Sequence, residues 1–409
     1  MRFPATQTTL TSTDIPLSVY VHLPWCERKC PYCDFNSHET RRVPEDAYID
    51  ALLTDLQGEL RACPALEARS IESVFIGGGT PSLFSVAGIA RLLDGLRACL
   101  RMEATREITM EANPGSTERE RLAGFSAAGV TRFSMGIQSL NDCSLEALGR
   151  VHDRHDALRA MQAALASGAD SVNVDLMHGL PGQSVADGLA DLATALTADP
   201  KHLSWYQLTI EPNTRFYSSP PPLPDEETLA ELEERGAQRL IAAGYQRYEV
   251  SAWAKPGYEC QHNLNYWRFG DYLGLGAGAH GKVTEPDRGV LRYRKTRQPE
   301  AYMAPRGTQR RDGRYLSSAD LCGEFMLNAL RLTNGFDIAL FEERTGRSFD
   351  EVSATVSELV DRGLMENRDS TLRATALGRR FLDDLVSRFF ECEPVAKDAV
   401  LASTHSPSR

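Results

Sequence analysis

The chain has 409 residues, more than one typical domain, and its composition of 42% hydrophobic and 25% charged residues is ordinary for a soluble protein. The formal net charge of -11 and the absence of a long lysine and arginine run argue against a nucleic-acid partner. No apolar stretch is long enough to cross a bilayer or to act as a signal peptide, so we expect no transmembrane segment. The cysteines outside residues 26–33 follow no pairing pattern, so we expect reduced thiols and a cytoplasmic protein.

A cysteine-rich loop follows the first predicted strand. Residues 1–16 are expected to form an N-terminal extension. The apolar run 17–22 then leads into Cys26, Cys30 and Cys33, which have the spacing Cys-x3-Cys-x2-Cys. Three thiolates on one short loop can hold three irons of a cubane [4Fe-4S] cluster and leave the fourth iron without a protein ligand. The alternative is a structural zinc site, which would need a fourth Cys or His at matching spacing.

From residue 17 to about 210, short apolar runs alternate with amphipathic stretches, a pattern typical of βα units around a parallel sheet. Six strands are predicted, over residues 17–22, 73–76, 108–110, 132–136, 171–175 and 202–208. Leucines at helical spacing predict a helix over Glu45–Ala62. Six strands are too few for a closed eightfold barrel, so we expect an α/β fold with a partial (β/α)6 barrel.

Polar and glycine-rich motifs fall where these strands end. The cysteine loop follows strand one, a glycine turn at 77–81 follows strand two, Glu111 follows strand three, Gln138 follows strand four, and Asp175 ends strand five. Catalytic groups of such sheets lie at the carboxyl ends of the strands. We therefore expect one edge of the sheet to collect the chemistry.

A smaller domain is predicted in the last part of the chain. The segment 306–314 is typical of a linker, so the predicted boundaries are 17–300 for the barrel, 301–392 for a C-terminal domain and 393–409 for a flexible tail. A helix at 350–363, a hairpin of 364–367 with 371–373 and a helix at 376–389 are expected within it. This order predicts a helical, winged-helix-like module, for which we favour a docking or lid role.

Further motifs accompany the cysteine triad, and together they resemble a known family. They are Gly-Gly-Gly-Thr at 77–80, Glu-Ala-Asn-Pro at 111–114, Met-Gly-Ile-Gln-Ser at 135–139, Asp-Leu-Met-His-Gly-Leu-Pro at 175–181 and Tyr-Gln-Leu-Thr-Ile-Glu-Pro at 206–212. With them the chain resembles, over about residues 17–390, the oxygen-independent coproporphyrinogen III oxidase family of the radical S-adenosylmethionine (SAM) superfamily. Cys-Asp-Phe-Asn-Ser at 33–37 and His-Asn-Leu-Asn-Tyr-Trp at 262–267 resemble its HemW branch of haem chaperones.

The resemblance implies a cluster on Cys26, Cys30 and Cys33 whose open iron takes the amino and carboxylate groups of SAM. The SAM contacts that it implies are Tyr20, Tyr32, Gly78, Gly79, Thr80, Glu111, Gln138, Arg150 and Asp175. These residue types suit the task, because glycine permits close backbone approach, carboxylates accept hydrogen bonds from hydroxyls, and arginine holds a carboxylate through its planar fork. Judged without the resemblance, Glu111 could cap a helix or form a salt bridge, and Arg150 could form a surface ion pair.

The resemblance also assigns His262 to the haem cargo. Neutral imidazole is a common axial ligand of haem iron, and Tyr266 and Trp267 offer flat apolar surface nearby. A histidine beside aromatic residues is more often a hydrogen-bonded packing residue. His280, in a glycine-rich setting, is the competing candidate for the ligand.

Two departures from the oxidases bear on function. Phe35 stands where they typically carry a further cysteine, and only about sixteen residues precede the first strand. The resulting hypothesis is a haem chaperone that delivers haem to client haemoproteins, and no catalytic residues are assigned. Respiratory enzymes are the candidate clients. A homodimer would suit haem transfer, but no sequence feature requires one. The rivals are an oxidase that decarboxylates coproporphyrinogen III through a 5′-deoxyadenosyl radical and a radical SAM enzyme with another substrate.

Overall fold

The structure is a computed structural model that describes residues 15–285, 287–308 and 310–390. The predicted tail at 393–409, and all but the last two residues of the predicted N-terminal extension, lie outside the described residues. In the described ranges, no helix is both long enough and apolar enough to span a lipid bilayer.

The secondary structure elements alternate along most of the chain. The strands are β1 Leu17–Leu23, β2 Trp25–Cys26, β3 His38–Glu39, β4 Ile71–Gly78, β5 Glu107–Ala112, β6 Arg132–Gln138, β7 Ser171–His178, β8 His202–Gln207, β9 Gln246–Glu249, β10 Ala252–Ala254, β11 Asp271–Leu275, β12 His280–Glu285, β13 Gly289–Arg294, β14 Arg311–Tyr315, β15 Phe336–Asp337, β16 Met365–Arg368 and β17 Thr371–Ala374. The helices are α1 Glu45–Ala62, α2 Val86–Cys99, α3 Ser116–Ala128, α4 Asp142–Ala147, α5 Arg154–Leu165, α6 Val185–Leu196, α7 Arg215–Ser218, α8 Glu226–Ala242, α9 Gln261–Trp267, α10 Pro299–Met303, α11 Ser318–Ala329, α12 Ile338–Thr345, α13 Asp350–Asp361, α14 Ala376–Arg380 and α15 Leu382–Ser387. Two short 3₁₀ helices lie at Pro64–Ala68 and Pro81–Leu83.

Six parallel strands, β1 and β4 to β8, form the predicted partial barrel in that spatial order. Each of the six predicted strands is confirmed, with ends that differ by up to three residues. Along β1, Leu17 and Val19 are fully buried in the core that also contains Leu52 of α1, whereas Ser18 faces the other way and lies 2.8 Å from the Ser73 hydroxyl of β4. Alternation along the strands therefore separates an apolar outer core from a polar interior.

The sheet does not close but continues beyond both edges of the barrel. β10 and then β9 follow β8, while on the other side β11 pairs in parallel with β1 and is followed by the antiparallel strands β12, β13 and β14. The linker prediction for 306–314 is wrong in its second half, since β14 pairs with β13 there. The reason is that these residues have sheet partners and ion partners far away in the sequence.

The C-terminal part has its own apolar core, with Phe325 and Phe341 at its centre. A small sheet in the order β15, β17, β16 lies among α11 to α15, and the predicted helix and hairpin correspond to α13, β16 and β17. The single helix predicted over 376–389 is instead two helices, because Phe381 leaves the helical region at φ −120°. The winged-helix-like order of helix, hairpin and helix is retained.

A buried ion network joins the sheet extension to α1. The Lys295 ammonium lies 2.6 Å from the Glu59 carboxylate and also contacts Asp55, and Arg310 bridges Glu59 at 2.7 Å and Glu285 at 3.2 Å. Burial raises the pKa of Asp55 to about 6, although Lys295 opposes the shift. Because an unpaired buried charge is strongly destabilising, the carboxylates depend on their cations.

We expect Lys295→Met to lower the free energy of unfolding at pH 7 by about 3–5 kcal/mol, because the buried Asp55 carboxylate loses its cation. Urea denaturation measures this loss. Lys255→Met is the matched control, since the Lys255 pair with Asp199 is largely exposed on the carboxylate side, and it should cost about 0–1 kcal/mol. Equal losses of unfolding free energy in the two variants would contradict the claim that the buried ion network stabilises the fold more than an exposed ion pair does.

Candidate cofactor site

A cavity of about 490 Å³ lies at the carboxyl edge of the barrel, beneath the cysteine loop. Its walls contain every residue that the sequence assigns to the cluster and SAM except Tyr20, namely Cys26, Cys30, Tyr32, Cys33, Gly78, Gly79, Thr80, Glu111, Gln138, Arg150 and Asp175. His262 does not line it. The parallel strands thus bring residues that are distant in sequence into one space.

Backbone hydrogen bonds attach the cysteine loop to the glycine turn. The Gly79 N–H donates to the Leu23 carbonyl at 2.8 Å, and the Thr80 N–H donates to the Trp25 carbonyl at 2.7 Å. A Cβ atom on Gly79 would lie 2.4 Å from the Trp25 oxygen, so this contact requires glycine. The short strands β2 and β3 pair in parallel and return the chain from the loop.

The three thiols of the loop are free and partly buried. Burial raises the pKa of Cys26 and of Cys33, while hydrogen bonds, from Thr80 to Cys26 and from the Phe35 backbone to Cys33, oppose the shift. Since a metal binds the thiolate form, metal binding here must release protons.

The donor set fits an iron–sulfur cluster better than zinc. The three thiols of the loop all line the cavity. A structural zinc site needs four ligands around a single ion. The three cysteines of a cubane cluster each bind a different iron, so they need not converge on one point.

Hydrogen bonds anchor the far end of the cysteine loop at Asn36. The His22 Nε2 lies 2.9 Å from the Asn36 carbonyl and therefore carries the proton, so Nδ1 accepts from the Tyr20 hydroxyl at 2.9 Å. Burial lowers the pKa of His22 to about 4, which keeps the ring neutral at pH 7. The Asn36 side-chain amide donates to the carbonyls of Ala277 and Arg297, both at 2.9 Å.

Two carboxylates stand in the cavity wall. Glu111 accepts the Gly78 N–H at 2.9 Å, and Asp175 accepts from Ser134 at 3.0 Å and from Asn173 at 2.7 Å. Burial raises the pKa of Glu111 to about 7, with a smaller contribution from Asp175, and burial also raises the pKa of Asp175. Both groups can accept hydrogen bonds from a polar ligand.

These carboxylates lie inside strands and not after them. Glu111 belongs to β5, and the prediction that Asp175 ends strand five is wrong because β7 continues to His178, which pairs with Gln207 of β8. Gln138, predicted to follow strand four, is instead the last residue of β6. The inward positions of an open barrel can be polar, so a polar residue does not mark the end of a strand here.

Arg150 and Gln138 belong to a hydrogen-bonded wall. Arg150 donates to the Gly136 carbonyl at 2.7 Å and to Asn113 Oδ1 at 2.8 Å, which places its guanidinium in the cavity wall and not in a surface ion pair. Gln138 accepts the Tyr206 hydroxyl at 2.8 Å and has φ 69°, a left-handed conformation that is uncommon outside glycine. Such strain is concentrated at functional sites.

Tyr20 and His262 lie behind the cavity. The Tyr20 ring stacks on Phe75 with centroids 6.2 Å apart, and His262 is 1% exposed. The His262 Nδ1 lies 3.0 Å from the Ser73 hydroxyl and Nε2 lies 3.0 Å from the Tyr266 hydroxyl. Burial lowers the pKa of His262 to about 3. Both ring nitrogens are occupied, so His262 is a hydrogen-bonded packing residue in this arrangement and not an open ligand.

Four residues of the site are missing from the sequence prediction. Asn113 and Tyr206 hold Arg150 and Gln138, and His22 and Asn36 anchor the loop. Each was visible as a polar residue in a motif or at a strand end. Their partners could not be read from the chain, because these contacts join different strands.

The raised pKa of Glu111 predicts a pH dependence of stability. The folded chain holds this proton more tightly than the unfolded chain, so the free energy of unfolding falls as pH rises from the ordinary value of 4.5 to about 7. We expect Glu111→Gln to remove on the order of 2 kcal/mol of that fall, as measured by denaturant unfolding between pH 4 and pH 8. Glu234→Gln, at an exposed position of α8, should keep the wild-type slope, and an unchanged slope in Glu111→Gln would argue against the assignment.

Loss of the Asn36 amide should loosen the cysteine loop. In Asn36→Ala the two hydrogen bonds to Ala277 and Arg297 are absent, so we expect backbone N–H groups of residues 26–40 to exchange with deuterium roughly tenfold faster in the cluster-free protein. Asn367→Ala, in the exposed hairpin of β16 and β17, serves as the control. Exchange at the wild-type rate would mean that other contacts hold the loop.

Comparisons with known proteins show which families the chain resembles. The model of the Radical SAM superfamily matches residues 20–194, and that of the HemN C-terminal domain matches residues 316–381. In overall fold the chain is similar to the solved structure of coproporphyrinogen III oxidase (HemN) from Escherichia coli, with a TM-score of 0.77 and 24% identity over 96% of this chain and 94% of that one.

Curated relatives match nearly the whole chain. The protein named Heme chaperone HemW of Escherichia coli is 48% identical over 91% of this chain and 98% of its own length. The protein of that name from Bacillus subtilis is 34% identical over 91% and 98%, and Radical S-adenosyl methionine domain-containing protein 1, mitochondrial, of Bos taurus is 37% identical over 90% and 86%. The chain belongs to the HemW family of the radical SAM superfamily.

Proposed function

We propose that the protein binds haem and delivers it to client haemoproteins, with a [4Fe-4S] cluster and SAM as resident cofactors. The observation that carries the proposal is the 48% identity to the Escherichia coli protein named Heme chaperone HemW, over 98% of that protein. Respiratory enzymes are the candidate clients. The C-terminal winged-helix-like part is the candidate docking element for them.

In this proposal the cavity holds both cofactors. Cys26, Cys30 and Cys33 would bind the cluster, whose open iron supplies a site for the amino and carboxylate groups of SAM and an electron for its cleavage. Backbone groups of the glycine turn would meet the methionine end of SAM, and Glu111 would accept from the ribose hydroxyls. The wall of Arg150, Gln138 and Asp175, with Tyr20 and Tyr32, would complete the pocket.

Arg150 and the thiols also interact directly. The Arg150 Nη1 lies 3.5 Å from the Cys30 sulfur, and its Nε is buried without a hydrogen-bond partner in the part of the chain described. The guanidinium is therefore within hydrogen-bonding distance of a cysteine sulfur that would bind the cluster. This placement supports a role for Arg150 in retaining the cluster as well as in holding SAM.

Phe35 supports the chaperone over the rival oxidase. By the resemblance it stands where the oxidases typically carry a further cysteine, and in the structure it lines the cavity and is 58% exposed. An exposed phenyl ring can supply contact area to a partner but no thiol chemistry. This substitution favours haem carriage over porphyrinogen decarboxylation.

The test combines two assays on the cluster-loaded, full-length protein. The first is an anaerobic incubation with SAM, a low-potential reductant and coproporphyrinogen III, analysed by mass spectrometry for the loss of two carboxyl groups. The second mixes the haem-loaded protein with a haem-free respiratory haemoprotein and follows the Soret band of the recipient. We expect no decarboxylated product and faster haem acquisition by the recipient than from free haem.

A matched variant sharpens the comparison. The triple variant Cys26→Ser, Cys30→Ser, Cys33→Ser should lose the cluster iron, measured per chain, and should transfer haem more slowly if the cluster governs the transfer. Decarboxylated product over many turnovers would overturn the chaperone proposal in favour of the oxidase. Absence of both haem binding and haem transfer would leave a radical SAM protein with another substrate.

A further inference from the structure

An exposed histidine with unusual neighbours lies close to the cysteine loop. His280 begins β12 directly after the turn Gly-Ala-Gly-Ala at 276–279, and its side chain is exposed. Among the described residues, no hydrogen bond to its ring is formed, in contrast to His262, whose two ring nitrogens are both occupied. His280 therefore presents an open imidazole.

Arginine side chains surround this imidazole. His280 pairs directly with Arg294 across β12 and β13, and Lys282 pairs with Arg292, so the four side chains share one face of the sheet. Partial burial lowers the pKa of His280, and the charges of Arg292, Arg294 and Arg297 lower it further. The ring is thus neutral at pH 7, which is the form that binds a metal.

The arginines are accessible to differing degrees. Arg294 is 51% exposed and pairs with the exposed Asp312, a kind of contact that contributes little. Arg297 is exposed and forms no ion pair with any described carboxylate. Arg292 is held by Glu324 at 3.0 Å. Arg294 and Arg297 can therefore turn to an external anion.

The same face leads into a second cavity, of about 210 Å³, between the sheet extension and α11. Its walls are formed by Tyr266, Trp267, Phe269, Gly270, Tyr272, Lys282, Arg292 and Asn328. Lys282 is two residues from His280 on one strand, so a wall residue of this cavity and the imidazole stand on the same face of the sheet. The aromatic wall residue Tyr272 pairs with Lys282 on the neighbouring strand, so flat aromatic surface shares the sheet face that bears His280.

This combination of groups selects one class of ligand. A bare divalent cation would be repelled by three neighbouring guanidinium groups. A ligand that carries a metal, a flat apolar ring and carboxylates would satisfy all of them, because imidazole binds the metal, aromatic rings cover the plane and arginines pair with carboxylates. An iron porphyrin with free propionates is such a ligand.

We propose that the haem cargo binds on this face, with its iron on the His280 imidazole, its propionates on Arg294 and Arg297, and one edge of the porphyrin at the second cavity. The inference rests on the proposed function and adds the site of the cargo. The site adjoins the cofactor loop, since Asn36 donates to the carbonyls of Ala277 and Arg297 on either side of it.

The first test is a titration of ferric haem into the full-length, cluster-loaded protein, monitored by Soret absorbance with the haem-free protein as the reference. The complex is then reduced to the ferrous form and its resonance Raman spectrum is recorded. His280→Ala should weaken binding at least about tenfold and abolish the iron–histidine stretching band, and added imidazole should restore the wild-type spectrum. His155→Ala, at an exposed position of α5, is the matched control. Wild-type affinity and an unchanged band in His280→Ala would overturn the site, whereas failure of the wild-type protein to bind haem would overturn the proposed function itself.

The second test concerns the propionates. The double variant Arg294→Gln, Arg297→Gln should bind haem at least about tenfold more weakly than the wild type, while haem dimethyl ester, which lacks the carboxylates, should bind the two proteins equally. Arg97→Gln on α2 is the control for loss of an arginine. An equal loss for haem and for its ester would overturn the propionate assignment.

Asn328→Phe, which fills the second cavity without removing a proposed ligand, should also weaken haem binding, and an unchanged affinity would remove that cavity from the site.

Discussion

The shared direction of six parallel strands is the constraint on which the cofactor site depends. Because neighbouring strands end at one edge, the inward positions of β4, β5, β6 and β7 must share a single space, and Glu111 and Asp175 stand in it together. Desolvation then works against both carboxylates, as the raised pKa values indicate. Their hydrogen bonds to Gly78, Ser134 and Asn173 make the arrangement tolerable without a bound cation. The result is an acceptor-rich cavity formed before any ligand enters.

The sheet extension fixes the loop that covers this cavity. The Asn36 side chain donates to two segments of the extension, at Ala277 and Arg297, and a Cβ on Gly278 would lie 2.3 Å from its amide nitrogen. Hydrogen bonds also hold the turn at 276–279, since the Gly276 N–H lies 3.3 Å from the Asp55 carboxylate and 3.1 Å from the Tyr302 hydroxyl. The buried ion network around Asp55 therefore supports the position of the cysteine loop as well as the stability of the barrel.

How much the sequence could predict follows from the range of the interactions involved. The six barrel strands are short apolar runs and were predictable from their pattern, whereas the cofactor residues were assigned through the motifs that carry the family resemblance. Strands β12 and β13 carry Lys282, Arg292 and Arg294, and a charged run predicts a loop unless its distant partners are known. The same reasoning explains why the packing role of His262 could not be predicted from the sequence. Its hydrogen-bond partner Ser73 lies 189 residues away, and no local pattern indicates that the ring nitrogens are occupied.

The two histidines that competed as haem ligands differ in what surrounds them, and this difference has a consequence for the proposed transfer. His262 is fixed between Ser73 and Tyr266 inside the barrel, where an incoming porphyrin would have to break both hydrogen bonds. His280 lies on an exposed face, from which a haem could pass to another protein without unfolding the barrel. Asn36 joins that face to the cysteine loop, so in the proposed function a cofactor that shifts the loop can alter the affinity for haem, and by linkage haem then alters the affinity for that cofactor by the same factor. Under the proposed function, the cluster would in this way control when haem is held and when it is released.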